Sequence, residues 1–252
     1  MIDLTCTATL RPDLLKMTFD SHVENLFGDK VKEMHLIINI DKVGHNGNCN
    51  NALVETFKII ESYPFADYSI NVSETPHFGR AFYWCMNQIN QDLFFHLEED
   101  WRLSKRIDFE KMIELMQNEE KLVHLRLSAF TSTFLKLKNW NKFLIWNGRY
   151  FEVFPELKGS IGWCGHPSLN KTFFMKECLK YYDPERNPEK QIKGKKYNHP
   201  MNELFASCNF GSFHERNCDP AIEDIGRKWM VKHGWVKSGN KAFFTQWERV
   251  EK

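Results

Sequence analysis

The chain has no paired-cysteine motif, no long apolar run, no low-complexity tail and no excess of charge of either sign. Its seven cysteines (Cys6, Cys49, Cys85, Cys164, Cys178, Cys208 and Cys218) are odd in number and none stands in a CxxC pair. That excludes a disulfide framework and a structural zinc site in a chain of this length. There is no basic-then-apolar leader and no run of about 18 apolar residues, so neither a secretory signal nor a spanning helix is expected. The expectation is a soluble protein of the reducing cytoplasm. With 34 Lys+Arg against 33 Asp+Glu, the formal net charge of +1 gives no global pull toward nucleic acid or membrane. A polyanion contact would have to come from a local patch. The 252 residues, 42% of them apolar, suffice for a single large domain spanning 1–252.

The strongest feature is DLFFHLEEDW, Asp92 to Trp101, where an apolar run breaks off into three consecutive acids. A buried strand ending this way presents carboxylates at a rim, and oxygen ligands suit Mg²⁺ or Mn²⁺. If the strand continues through the acids, side-chain alternation puts Glu98 and Asp100 on one face and Glu99 on the other.

Upstream, the order is alternating. Ile2 to Thr7, His35 to Asp41 and Tyr68 to Val72 read as strands. Helical segments from Pro12 to about Leu26, Ala52 to Glu61 and Gly79 to Asn90 separate them, the first with Pro12 tolerated in its opening turn. Such alternation predicts an α/β fold with a mostly parallel sheet flanked by helices. Ligands of such sheets bind beyond the carboxyl ends of the strands. Thr7 to Arg11, Asp41 and the acidic triplet all fall there.

The second half is less regular. A helix is expected from Ile107 to Gln117, a strand from Val123 to Phe130, and two short strands around Asn147-Gly148. Gly159 to Pro167 reads as a shaped loop holding Trp163 and His166, Ser168 to Tyr182 as a helix, and Pro184 to His199 as a polar, basic loop before a helix opening at Met201.

On these motifs the chain resembles nucleotide-sugar-dependent glycosyltransferases of the GT-A fold (Rossmann-like), in particular the family-two-like enzymes of bacteria and large phages. Glu98-Glu99-Asp100 resembles their acidic cation-binding motif, with Glu where the first Asp usually stands. Thr7-Ala8-Thr9-Leu10-Arg11-Pro12 resembles the first nucleotide-binding loop, and Gly79-Arg80-Ala81 the opening of the helix before the acidic strand. His166-Pro167-Ser168-Leu169 resembles an Asn-Pro-Ser-Leu turn, and Asn202-Glu203-Leu204 the acidic helix start that carries the base. The match runs from about residue 2 to 206.

The resemblance implies a nucleotide-binding half (1–101) and an irregular acceptor-binding half (102–252). It implies a nucleoside diphosphate sugar donor, expected to be UDP-linked, and Mn²⁺ or Mg²⁺ held by Asp100, Glu98 and a late histidine, with His214 ahead of His233. Thr9, Arg11, Asp41, Arg80, Glu98 and Trp163 are the expected donor contacts, Asp41 accepting from the uracil imide and the arginines meeting the diphosphate. Glu203 is the expected base on the acceptor hydroxyl.

Two acceptor classes remain open, a glycan or hydroxymethylated bases in phage DNA. The second draws on Arg186, Lys190, Lys193, Lys195 and Lys196, then Arg227, Lys228, Lys232 and Lys237, beside Trp229 and Trp235. A nucleotidyltransferase is disfavoured because no basic Gly-rich loop follows the first strand. A noncatalytic nucleic-acid-binding module is the alternative of another class.

Overall fold

The computed structural model describes residues 2–45, 47–128, 143–192, 199–213, 220–239 and 246–250. The first half forms β1 (Ile2–Thr9), α1 (Pro12–His22), β2 (Met34–Asp41), α2 (Cys49–Glu61), β3 (Asp67–Ser73), α3 (Phe78–Gln88) and β4 (Leu93–Glu98). After it come β5 (Trp101–Leu103), α4 (Phe109–Asn118), β6 (Leu122–Leu127) and the pair β7 (Leu144–Trp146) and β8 (Phe151–Val153). Then follow α5 (Lys158–Ile161), β9 (Ser168–Lys171), α6 (Thr172–Leu179), α7 (Pro188–Ile192), α8 (His199–Ser207) and β10 (Asn209–Phe213). The chain closes with β11 (Ile222–Asp224), α9 (Gly226–His233), β12 (Trp235–Ser238) and β13 (Gln246–Arg249).

Helix starts follow local chemistry. Pro12 opens α1, where its missing N–H costs nothing. Side chains cap the next three: Asn48 accepts from the Asn51 N–H, His77 from Arg80 and Asp108 from Lys111.

Nine strands form one sheet in the order β3-β2-β1-β4-β9-β6-β10-β8-β7. β1 to β4 run parallel, as do β6 and β10, while β9 and β8 are antiparallel insertions. Alternation along β4 sends Phe95 and Leu97 into a core with α1, α2 and α4, and Phe94 into a second core with α3, α6 and α8. Burial on both faces explains why these strands read as continuous apolar runs. In the first core Phe27, Phe95 and Phe109 meet edge to face, each buried ring being worth roughly 1.5–3 kcal/mol.

One expectation needs correction. Ser168 to Lys171 is not helix: it is β9, bonded antiparallel to both β4 and β6, so that helix begins only at Thr172. Two ladders outweigh whatever local helical preference these four residues have. At the C-terminus, β12 and β13 pair antiparallel after α9.

Candidate functional site

Register brings the candidate residues together. Thr7 lies beside Glu98 across the β1–β4 ladder, and Thr9 beside Asp41 across β1–β2. These strand ends floor a crevice of about 510 Å³. Its walls are Thr75 to Phe78 at the head of α3, Glu98 to Asp100 at the end of β4, and Lys237, Trp247 and Glu248 from the C-terminal hairpin.

β4 stops at Glu98, and the next two acids occupy a turn. The expected split, Glu98 and Asp100 against Glu99, therefore fails, because strand alternation ends where the strand does. Glu99, 4% exposed, is the hub. Its Oε1 accepts from the Thr9 backbone N–H (3.0 Å), the Thr9 hydroxyl (2.7 Å), Arg11 Nε (3.0 Å) and Arg11 Nη2. Arg11 Nη2 also donates to Asp100 Oδ2 at 2.9 Å. Arg11 is itself 1% exposed. Burial opposes its charge, but Glu99 and Asp100 keep it protonated, raising its pKa further. Its role is thus first to brace the acids from within the protein. One nitrogen, Nη1, is buried with no hydrogen-bond partner among the described residues, as is the Thr7 hydroxyl on the crevice floor.

Asp41 ends β2 with burial pushing its carboxyl up to about 6, although hydrogen bonds from Asn39 and the His77 N–H pull the other way. The Asn39 amide reaches Asp41 Oδ1 at 3.0 Å and the His77 N–H reaches Oδ2 at 3.0 Å. Behind it, Asn71 and Ser73 donate to Asn39 Oδ1. The side chain is held in one orientation at the crevice wall.

The C-terminal elements clasp the acids from the other side. β11 pairs with β5, setting Asp224 opposite Trp101, and the Ile225 N–H donates to the Asp100 carbonyl at 2.9 Å. α9 then starts so close to Asp100 that a Cβ on Gly226 would stand 2.1 Å from Asp100 Oδ2 and 2.8 Å from its Cβ. Gly226→Ala is therefore expected to displace Asp100 and loosen the Arg11 brace, at about 1–3 kcal/mol of stability. Thermal unfolding reads this, and an unchanged midpoint would refute the close fit. Trp229 and Trp247 present their rings to the Arg11 guanidinium at 5.6 and 5.1 Å, and Lys237 Nζ lies 4.8 Å over the Trp247 ring. Lys237 and Trp247 are directly opposed in the hairpin, so their side chains share its crevice-facing side. Sequence reasoning missed Trp247 and Glu248. The Gly239-Asn240 dipeptide between WVKS and QWER was the available signal.

Other expected residues lie elsewhere. Arg80 is exposed and forks onto Glu185 at 2.6 and 2.9 Å, outside the crevice lining. Trp163 is 1% exposed and packs against Phe82 in the second core, so it is a core residue rather than a donor contact. Glu203 is exposed on α8 and does not line the crevice. His233 packs against Trp229, the tilted rings 4.4 Å apart between centroids. His214 lies outside the described residues, as do Lys193, Lys195 and Lys196. Of the groups expected to meet nucleic acid, Trp229 is 6% exposed and donates to Asp13, Arg186 pairs with Asp183, and Arg227 and Lys228 pair with Asp224 and Glu223.

The donor chemistry fits a hard divalent cation. Among the described residues no three His, Cys, Asp or Glu side chains form a metal-binding group. Cations that bridge substrate phosphates need only one or two protein carboxylates, and Glu98 and Asp100 line the crevice together. Glu98 is also short of positive charge. Burial, then Asp100, Glu189 and Glu99, raise its pKa well above the usual carboxylate range, with Lys237 countering.

No protein-family model matches the chain, and no curated protein matches it in sequence. Solved structures do match in fold. A mannosyltransferase from Pyrobaculum calidifontis, solved with GDP-Man and Mn²⁺, superposes with TM-score 0.52 at 8% identity over 85% of this chain and 55% of its own. S. aureus TarS 1–349 gives 0.53 at 10% identity over 92% of this chain and 63% of its own. A CMP:2-keto-3-deoxy-manno-octonic acid synthetase complexed with CTP gives 0.51 at 10% identity, covering 92% and 97%. The chain spans about three-fifths of the length of the two transferases. No helix among its described residues is long and apolar enough to cross a membrane. The architecture that the chain shares with these transferases is the GT-A fold.

Proposed function

We propose that the protein transfers a sugar from a nucleoside diphosphate sugar, of which a UDP-sugar is the best fit, to an acceptor hydroxyl. The observation that carries this reading is the crevice itself: Asp41, Thr7, Thr9 and three acids converge by strand register at the carboxyl ends of β1, β2 and β4. The fold-sharing mannosyltransferase is described with GDP-Man and Mn²⁺ and TarS with UDP, which supports a nucleotide-sugar donor and a cation.

In this reading Asp41 accepts the imide N–H of uracil, its orientation fixed by Asn39 and His77. Arg11 Nη1 and the Thr7 hydroxyl, both buried donors without partners among the described residues, turn to the donor's phosphates. Lys237 stands at the same crevice as a further cation. Glu98 and Asp100 would hold the divalent ion, which when bound stabilises the charge gathering on the departing diphosphate. The alternative on the same fold, nucleotidyl transfer, starts from a nucleoside triphosphate and releases pyrophosphate.

Asp41 gives a pH test. The ionised carboxylate accepts the imide N–H far more strongly than the neutral acid, and with a pKa of about 6 that form is lost as pH falls through 6. Titration calorimetry with UDP is expected to show affinity falling roughly tenfold from pH 7.5 to pH 5. Asp41→Asn should bind weakly at both pH values and lose that dependence. A wild-type affinity that does not change over this range counts against the assignment, and absence of UDP, GDP and CDP binding would sink the donor reading.

A further inference from the structure

Behind the crevice, a thiol sits in a network that activates sulfur. In the β6–β9 ladder His124 stands directly opposite Asn170, and both are fully buried. The Asn170 amide nitrogen donates to the Ser168 carbonyl at 2.9 Å and to its hydroxyl at 3.1 Å. A carbonyl only accepts, so Asn170 Oδ1 is the atom turned to His124 Nδ1, at 2.7 Å, and Nδ1 carries the proton. The ring's lone pair is left on Nε2, 3.9 Å from Cys164 Sγ. Arg126, anchored on the Ile161 carbonyl at 2.8 Å, brings Nη1 to 3.6 Å from the same sulfur. His124 can take the thiol's proton while Arg126 neutralises the thiolate, and an oriented Cys-His-Asn set is a known arrangement for activating a thiol.

No other described cysteine has such company. Burial pushes the thiols of Cys6, Cys85, Cys178 and Cys208 up. Burial acts the same way on Cys164, yet His166 and Arg126, with hydrogen bonds to His124 and His166, bring it well below the ordinary thiol value. Unmet polar atoms gather at the same place. His96 Nδ1 donates to the Thr5 hydroxyl, which itself donates to the Phe95 carbonyl, so His96 Nε2 is an acceptor. It is buried with no partner among the described residues, as is the donor Nε1 of Trp163, the residue before Cys164. The Trp163 ring is centred 6.0 Å from that of His124 and 6.5 Å from that of His96. A donor and an acceptor left open around one sulfur suit a small hydroxyl-bearing group. Cys164 is 5% exposed and does not line the crevice, so only a reagent near the size of water reaches it.

We propose that Cys164 is a modification site for hydrogen peroxide and that its oxidation disturbs the neighbouring crevice through Gly165. The sulfur, its proton held on His124, attacks one peroxide oxygen. A sulfur–oxygen bond forms, the oxygen–oxygen bond breaks, and its electron pair leaves on hydroxide, which takes the proton from His124 to become water. Sulfur loses two electrons, peroxide gains two, and the product is a sulfenic acid. Gly165 is next in the chain, and its backbone lies against the acids: a Cβ there would stand 2.6 Å from Glu98 Oε1. A displaced Gly165 therefore presses on Glu98. This consequence, unlike the oxidation itself, rests on the sugar-transfer reading and its cation.

The test treats the reduced full chain with hydrogen peroxide at pH 7.5, removes the peroxide with catalase, unfolds the protein in iodoacetamide and maps the surviving thiol at each cysteine. Cys164 is expected to lose its thiol about tenfold faster than Cys6, Cys85, Cys178 or Cys208. A rate no greater than theirs overturns the assignment, and this ranking needs no variant. His124→Gln, its fold checked by circular dichroism, should slow the loss at Cys164; a folded variant oxidised at the wild-type rate would contradict the activation by His124. Oxidised wild type should bind Mn²⁺ about tenfold more weakly, read from the paramagnetic resonance signal of the free ion, and peroxide should leave the affinity of Cys164→Ser unchanged. Selective oxidation of Cys164 with unaltered Mn²⁺ affinity overturns the coupling through Gly165. A reduced wild type that binds no Mn²⁺ counts against the cation reading and leaves the thiol result standing.

Discussion

Replacing Arg11 with Met is expected to cost about 3–5 kcal/mol of folding stability, the usual consequence of leaving a buried charge uncompensated. Arg11 supplies two of the four hydrogen bonds to Glu99 Oε1, and Glu99 is 4% exposed. Without the guanidinium, the Glu99 carboxylate remains in a low-dielectric site beside Asp100 with its main cationic partner gone. Denaturant unfolding reads the deficit. Arg11→Met with Glu99→Gln should recover most of the loss, because removing both partners avoids the orphaned charge. Arg11→Lys should not, since one ammonium cannot reproduce a fork shared by Thr9, Glu99 and Asp100. A deficit below 1 kcal/mol would mean that solvent reaches these acids.

The second large effect is expected at Asp100. Asp100→Ala should lower donor turnover by about 10³ while costing far less stability than the Arg11 change, because Glu99 still pairs with Arg11. The distinction matters: the Arg11 variant fails through folding, the Asp100 variant through chemistry. Calcium, a hard cation of different size and coordination, should not restore the rate. Turnover within a few fold of wild type would remove Asp100 from the cation site.

The parts of this architecture that were legible in the sequence were those specified locally. β1, β2, β3 and β4 stand within a few residues of expectation because short apolar runs between turn signals leave a chain few other solutions. Their order along the chain was enough to bring Thr9, Asp41 and the acids to one edge. What was illegible depended on contacts distant in sequence. Ser168 to Lys171 becomes a strand only because β4 and β6 flank it. Trp163 and Arg80 carry suitable chemistry, yet a core ring contact with Phe82 takes one and Glu185 the other. The dominance of Glu99 over its neighbours follows from where β4 ends, a boundary that alternation does not reveal.

The most direct test of the central claim is product analysis with the wild-type chain, Mn²⁺, a panel of UDP-, GDP- and CMP-sugars and, in parallel, nucleoside triphosphates with free sugars. The account predicts release of a nucleoside diphosphate from one sugar donor, halted by a chelator and by Asp100→Ala. Pyrophosphate released from a triphosphate, or turnover indifferent to Asp100, would contradict it.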